Sequence, residues 1–303
     1  MRRLIVALSI FALALTACGG KPDSDVATTA PVILTSTTFL ADITRNVAGD
    51  RRVVESLLPA GADPHSYQPV PADVAKITES KVLVVNGLEY EHFLETLLEN
   101  AGGERLIITT SDGLSPHTME DEENAGELVS DPHMWLDPNR VMKYAENIRD
   151  GLIKADPDGA ETYTANAAAY LAQLKDLDAW IVDQVAQISP EKRLLVTNHE
   201  ALGYFADRYG FTVIGAVLPS VSSDASTSAG QMAELIEQIK SSETPAIFLD
   251  EVENPALAQQ IAAETGVKIV ADLHLESLTD GPPAATYIDM MKHNVTQIVN
   301  ALR

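Results

Sequence analysis

Three histidines stand in settings suited to holding a metal ion: His65 in Asp63-Pro64-His65, His133 in Asp131-Pro132-His133, and His199 in Thr197-Asn198-His199-Glu200. Each lies beside a predicted strand end or helix start. Asp272, directly after the last apolar run, adds a carboxylate. Three imidazole nitrogens with one carboxylate oxygen form a donor set for a divalent transition metal. The prolines before His65 and His133 restrict the aspartates that precede them, so both loops arrive pre-shaped, which lowers the ordering cost of gathering four side chains around an ion. Asp63 and Asp131 read as turn caps or orienting partners of the histidines that follow them. Glu200 reads as a carboxylate favouring the dipole of the helix it begins. Structural or solvent roles are expected for His92 in a helical pattern, His117 in an acidic loop, His274 and His293. Of these, His274 is close enough to Asp272 to compete with it or support it.

The elements that must position these residues follow from the apolar pattern. Short β-branched runs occur at Val32-Ile33-Leu34, Val53 to Leu58, Lys81 to Val85 and Arg105 to Thr109. A second set occurs at Arg193 to Val196, Phe211 to Val217, Ala246 to Leu249 and Val267 to Val270. Continuous apolar strands separated by helical patterns imply parallel sheets covered on both faces. The fold class is therefore α/β: two (β/α) lobes, each with a four-stranded, mostly parallel sheet. Between them, Leu171, Leu174, Ile181, Val185 and Ile188 recur at helical spacing, bounded by Asp156-Pro157-Asp158-Gly159 and Ser189-Pro190. Such a helix would be about 45 Å long and would join the lobes rigidly. The expected division is an N-terminal lobe over 31–157, a linking helix over 158–188 and a C-terminal lobe over 189–303. Ligands of open α/β sheets bind beyond the carboxyl ends of strands, and His65, His199 and Asp272 each follow one. The stretch from Ser115 to Ser130, with Glu120-Asp121-Glu122-Glu123, reads as a mobile acidic loop.

The amino terminus is a targeting segment. Met1-Arg2-Arg3, an apolar run from Leu4 to Leu15 and Thr16-Ala17-Cys18 have the form of a signal peptide over 1–17. The apolar run is too short for a permanent membrane span, and no later run approaches the roughly 20 residues one requires. Cys18, the one cysteine in the sequence, stands where the lipobox of bacterial lipoproteins places its lipidated residue. Residues 18–30 then read as a flexible tether. A single cysteine excludes an internal disulfide and a thiolate cluster. Forty-four acidic against twenty-one basic residues, a formal net charge of −23, argue against nucleic acid or an anionic membrane surface as the main partner and favour cations.

Taken in order, Gly61-Ala62-Asp63-Pro64-His65-Ser66-Tyr67-Gln68-Pro69, Asp131-Pro132-His133-Met134-Trp135-Leu136-Asp137-Pro138, Thr197-Asn198-His199-Glu200-Ala201 running into Tyr204-Phe205, and Thr286-Tyr287 to Asn294 resemble the zinc/manganese solute-binding lipoproteins of ABC importers. The resemblance spans nearly all of the chain beyond the tether. It implies a metal held between two lobes joined by one long helix, and delivery to an ABC permease in the cytoplasmic membrane. It also implies that His65, His133 and His199 match the family's first three ligand positions and Asp272 its fourth. Manganese-dedicated members tend to carry glutamate at the third position, where this chain has His199. Imidazole is the softer ligand and suits zinc's near-tetrahedral preference, so Zn²⁺ is the expected cargo and Mn²⁺ the alternative. Many zinc-dedicated members carry a histidine-rich loop before the second histidine, whereas the loop here is acidic with His117 alone. A monomer outside the cytoplasmic membrane, with no enzymatic activity, is expected. A secreted zinc hydrolase with Glu200 as base would require a His-Glu-x-x-His helix, which Asn198-His199-Glu200-Ala201-Leu202-Gly203 does not supply. An adhesin reading has no support in the chain beyond surface exposure.

Overall fold

A computed structural model describes residues 32–120, 128–250 and 253–303, without the side chain of Glu120. The signal segment 1–17, Cys18 and its tether, and the centre of the acidic loop lie outside the described residues. The N-terminal sheet contains β1 (Ile33–Thr35), β2 (Val54–Ser56), β3 (Val82–Val85) and β4 (Leu106–Thr109), all parallel in the order β2-β1-β3-β4. Its helices are α1 (Thr38–Ala48), α2 (Pro71–Glu79), α3 (Leu94–Ala101) and α4 (Pro138–Ala155). The antiparallel pair β5 (Thr118–Glu120) and β6 (Leu128–Ser130) stands where a loop was expected. It brackets the acidic run, and three residues per strand give too little alternation to be seen in the sequence.

The C-terminal sheet holds β7 (Leu194–Thr197), β8 (Thr212–Ala216), β9 (Ala246–Asp250) and β10 (Lys268–Leu273), again parallel, in the order β10-β9-β7-β8. Its helices are α6 (Gly203–Tyr209), α7 (Ala229–Ser242), α8 (Ala256–Thr265) and α9 (Tyr287–Leu302). Numbered within each lobe, the N-terminal sheet has the strand order 2-1-3-4, and the C-terminal sheet read from its other edge has the same order. The eight strands of these two sheets fall where the apolar runs predicted.

Alternation along the strands explains why those runs are continuous. Val82 and Val84 of β3 join the cluster of α1 and α4, while Leu83 and Val85 join that of α2 and α3. In β9, Ala246 and Phe248 face the shared core, and Ile247 and Leu249 meet α7 and α8. Successive side chains point to opposite faces, and both faces are covered.

The linking helix α5 (Ala160–Val185) has 26 residues, so it is about 39 Å long. It begins after a single 3-10 turn, Pro157–Gly159. Tyr163, Ala167, Tyr170, Leu174, Leu177, Ile181 and Val185 form its buried stripe, spaced by three and four. One apolar core runs through both lobes along this stripe. No helix among the described residues is long and apolar enough to cross a membrane.

Candidate metal centre

The side chains that meet between the lobes are His65, His133, His199 and Glu276, with ligand atoms all within 4.8 Å of one another. His65 sits in the loop between β2 and α2. His133 precedes the single turn Met134–Leu136 that leads into α4. His199 follows β7, and Glu276 lies three residues beyond the end of β10. The Glu276 Oε1 atom is 3.2 Å from His133 Nε2, 3.3 Å from His199 Nε2 and 3.9 Å from His65 Nε2. The two Nε2 atoms of His133 and His199 are 3.2 Å apart.

Asp272, the expected fourth ligand, is not in this group. Its side chain is 58% exposed, against 1% for Glu276, and it accepts a hydrogen bond from Gln297 Nε2 of α9 at 2.5 Å. The reason lies in β10. The strand continues to Leu273 with a register shift between Val270 and Leu273, so Asp272 is an outward residue of an edge strand. The polypeptide then enters the cleft through Leu273–Leu278, in which each residue is buried. Glu276, framed by Leu275 and Leu278, is a carboxylate inside an apolar frame, and that was the available signal. Of the other histidines, His274 packs against His293, whose Nε2 is 2.7 Å from the Asp272 carbonyl oxygen. His117 stacks on Tyr204 beside Asp207, and His92 is exposed.

A shell of acceptors and donors orients the four groups. Asp131 Oδ1 lies 2.8 Å from His133 Nδ1 and also accepts from the His133 backbone N–H at 2.9 Å. Glu253 Oε1 lies 2.6 Å from His199 Nδ1. In each case the carboxylate on Nδ1 turns Nε2 toward the centre. Tyr90 donates from its hydroxyl to Glu276 Oε2 at 2.5 Å. Asp250 Oδ2 accepts from the N–H groups of Leu275 and Glu276. Tyr90 is presented by a turn in which Gly87, Leu88 and Glu89 all have left-handed φ values of 87°, 58° and 60°. A Cβ at Gly87 would lie 2.5 Å from Thr109 Cγ2, so only glycine fits. The buried Glu91 carboxylate holds the turn closed by accepting from Ser36 Oγ, Asn86 N and Gly87 N at 2.7, 2.6 and 3.1 Å. Beneath the site, the Trp135 ring stacks on Phe39 at 4.5 Å and packs on Tyr90 at 4.8 Å. Such contacts contribute about 0.5–1.5 kcal/mol each beyond burial.

Burial pushes the Glu276 carboxyl upward, but the charge of His133 and the contacts of all three histidines overcome it, leaving the group well below the ordinary carboxylate range. Burial lowers His133, and Glu276 with Asp131 more than reverses this. His199 is likewise desolvated, yet Glu253 and Glu276 carry it up to about 10. His65 is shifted downward by burial, reinforced by the neighbouring histidine charges. Glu276 thus favours the protonated forms of His133 and His199. Glu276 Oε1 and His65 Nε2 are buried with no hydrogen-bond partner, which a divalent cation between them would supply.

Residues 33–301 match the family described as ZnuA, zinc-uptake complex component A, periplasmic. The chain is 36% identical to the manganese-binding lipoprotein MntA of Halalkalibacterium halodurans, over 100% of this chain and 99% of that protein. Among solved structures, the Mn-bound periplasmic metal-binding protein from Candidatus Liberibacter asiaticus superposes with a TM-score of 0.78 at 31% identity. That match covers 90% of this chain and 99% of the other. The periplasmic zinc-binding protein TroA from Treponema pallidum gives a TM-score of 0.81 at 29% identity, with the same coverage.

Proposed function

The chain belongs to the family of periplasmic zinc-uptake complex components A, and on that footing we propose that it captures Zn²⁺ with His65, His133, His199 and Glu276 and hands it to an ABC permease. It is a metal-binding receptor of an ABC importer and works outside the cytoplasm. It is not an enzyme. The segments 31–157 and 189–303 are read as its two lobes, and lipid at Cys18 with a tether over 18–30 as the means of holding a single copy near the permease.

The observation that carries this reading is the buried Glu276 Oε1, which has no hydrogen-bond partner and faces three imidazole nitrogens. A buried anion in that setting attracts a cation, and neutral imidazoles supply its remaining bonds. The choice of zinc rests on donor number. Tyr90 occupies Glu276 Oε2, so the carboxylate has one oxygen to offer, and three nitrogens with one oxygen complete a tetrahedron. Manganese favours an oxygen-rich shell of higher coordination. Its acceptance would require Glu276 to release Tyr90 and bind through both oxygens.

Elemental analysis of protein purified without added metal, paired with His199→Glu, tests the reading. Zinc at one equivalent in the unaltered protein, and a shift toward manganese in the variant, are expected. Manganese in both would overturn the cargo assignment.

A further inference from the structure

His133 and His199 come from different lobes, and no strand pairing among the described residues connects the two loops that carry them. Helix α6 does. It begins four residues after His199, and its flank meets the polypeptide on both sides of His133. Tyr204 donates from its hydroxyl to the Asp131 carbonyl at 2.7 Å and accepts from the His117 N–H at 2.9 Å. Its ring lies under the Arg140 guanidinium at 4.3 Å. A Cβ at Gly203 would fall 3.1 Å from Asp131 Oδ2, closer than side-chain carbons ordinarily come, so the helix start is packed tightly against Asp131.

At the other end, Arg208 grips Asp178 of α5 through Nε and Nη2 at 3.1 and 2.6 Å, and Tyr209 donates to Asp178 Oδ1 at 2.9 Å. The same oxygen accepts from Asn139 Nδ2 at 3.0 Å, and the Asn139 N–H is held at 2.9 Å by Asp137, the N-cap of α4. Asp178 thus joins α6 to the first turn of the helix that follows His133. Residues two before and four to six after one ligand are tied to the helix that follows the other.

We infer that α6 is a gauge that fixes the separation of His133 from His199, with Tyr204 and Asp178 as positioning residues for metal capture. The inference rests on the four-ligand reading above and adds what sets its spacing. A tetrahedral ion with bonds of about 2.0–2.1 Å places two imidazole nitrogens roughly 3.4 Å apart, close to the 3.2 Å between these Nε2 atoms. Loosening either end of α6 would let the His199 loop drift from that distance.

An internal comparison exists in Asp156, which binds Arg51, Arg52 and Tyr163 at 2.6–2.9 Å but touches neither ligand loop. The experiment measures Zn²⁺ affinity by competition with a chelator, the visible spectrum of Co²⁺-loaded protein, and the metal-free melting temperature for Tyr204→Phe, Asp178→Asn and Asp156→Asn. Tyr204→Phe keeps the ring and removes the hydroxyl alone, so folding is preserved if Asp178→Asn proves too damaging. Weakening of Zn²⁺ binding by roughly tenfold in the two α6 variants is expected, with an altered Co²⁺ spectrum. Asp156→Asn should lower the metal-free melting temperature and leave affinity and spectrum unchanged. Unaltered affinity and spectrum in Tyr204→Phe, or an equal loss in Asp156→Asn, would overturn the gauge. Failure of the unaltered protein to bind Zn²⁺ or Co²⁺ would overturn the four-ligand reading itself.

Discussion

The two Asp-Pro-His tripeptides are identical in sequence and end in different electrostatic states. In both, the aspartate accepts the histidine backbone N–H at 2.9 Å, so the turn is the same. Asp131 then also faces His133 Nδ1, and the ring is fully buried and shifted toward the protonated form. Asp63 instead accepts from Ser66 Oγ at 3.1 Å and, across the cleft, from Ser223 Oγ at 2.7 Å. His65 has no orienting carboxylate contact from Asp63, and burial shifts it the other way. The tripeptide fixes a backbone turn. What else the carboxylate touches decides whether the imidazole is aimed or only supported.

Four substitutions or conditions would break or sharpen this contrast. The largest effect is expected for Asp131→Asn. It removes the group that aims His133, and loss of such a partner typically weakens metal binding about 10–100-fold; isothermal titration with Zn²⁺ measures it. Next is pH. A protonated histidine cannot bind metal, so affinity must rise with pH through each ligand's own range. His133 and His199 hold protons above their ordinary value, so affinity should keep increasing above neutrality. His65, shifted down, should add a further loss only in acid. A pH series of competition titrations checks the sign, and Asp131→Asn should move the His133 step toward acid. A smaller effect, roughly threefold, is expected for Asp63→Asn, which disturbs the loop but not the ring's partner. The smallest belongs to Ser223→Ala. It removes one hydrogen bond across the mouth and should raise the Zn²⁺ dissociation rate by about twofold or less, read by stopped-flow transfer to a chelator.

The architecture was readable because its central strands are buried on both faces and its spine has a helical stripe, and both leave long-range marks on composition. The three histidines that come together in the cleft stand out in the sequence because each lies at a strand end or beside a proline-shaped turn. Asp272 lies apart from them because where β10 ends depends on an edge-strand register shift, which no local pattern encodes. Glu276 lies beyond that point, in a segment buried by contacts with the other lobe: Trp135 Nε1 donates to the Leu275 carbonyl and Tyr90 to Glu276 itself. Glu253 was missed for a similar reason. It reaches His199 from 54 residues away, and no spacing rule links them.

Anomalous diffraction at the zinc edge from crystals of Zn²⁺-loaded protein tests the central claim most directly. One ion bonded to Nε2 of His65, His133 and His199 and to Glu276 Oε1, with Asp272 still facing solvent, is the predicted result. An ion held by Asp272, or a peak outside the interlobe cleft, would contradict it.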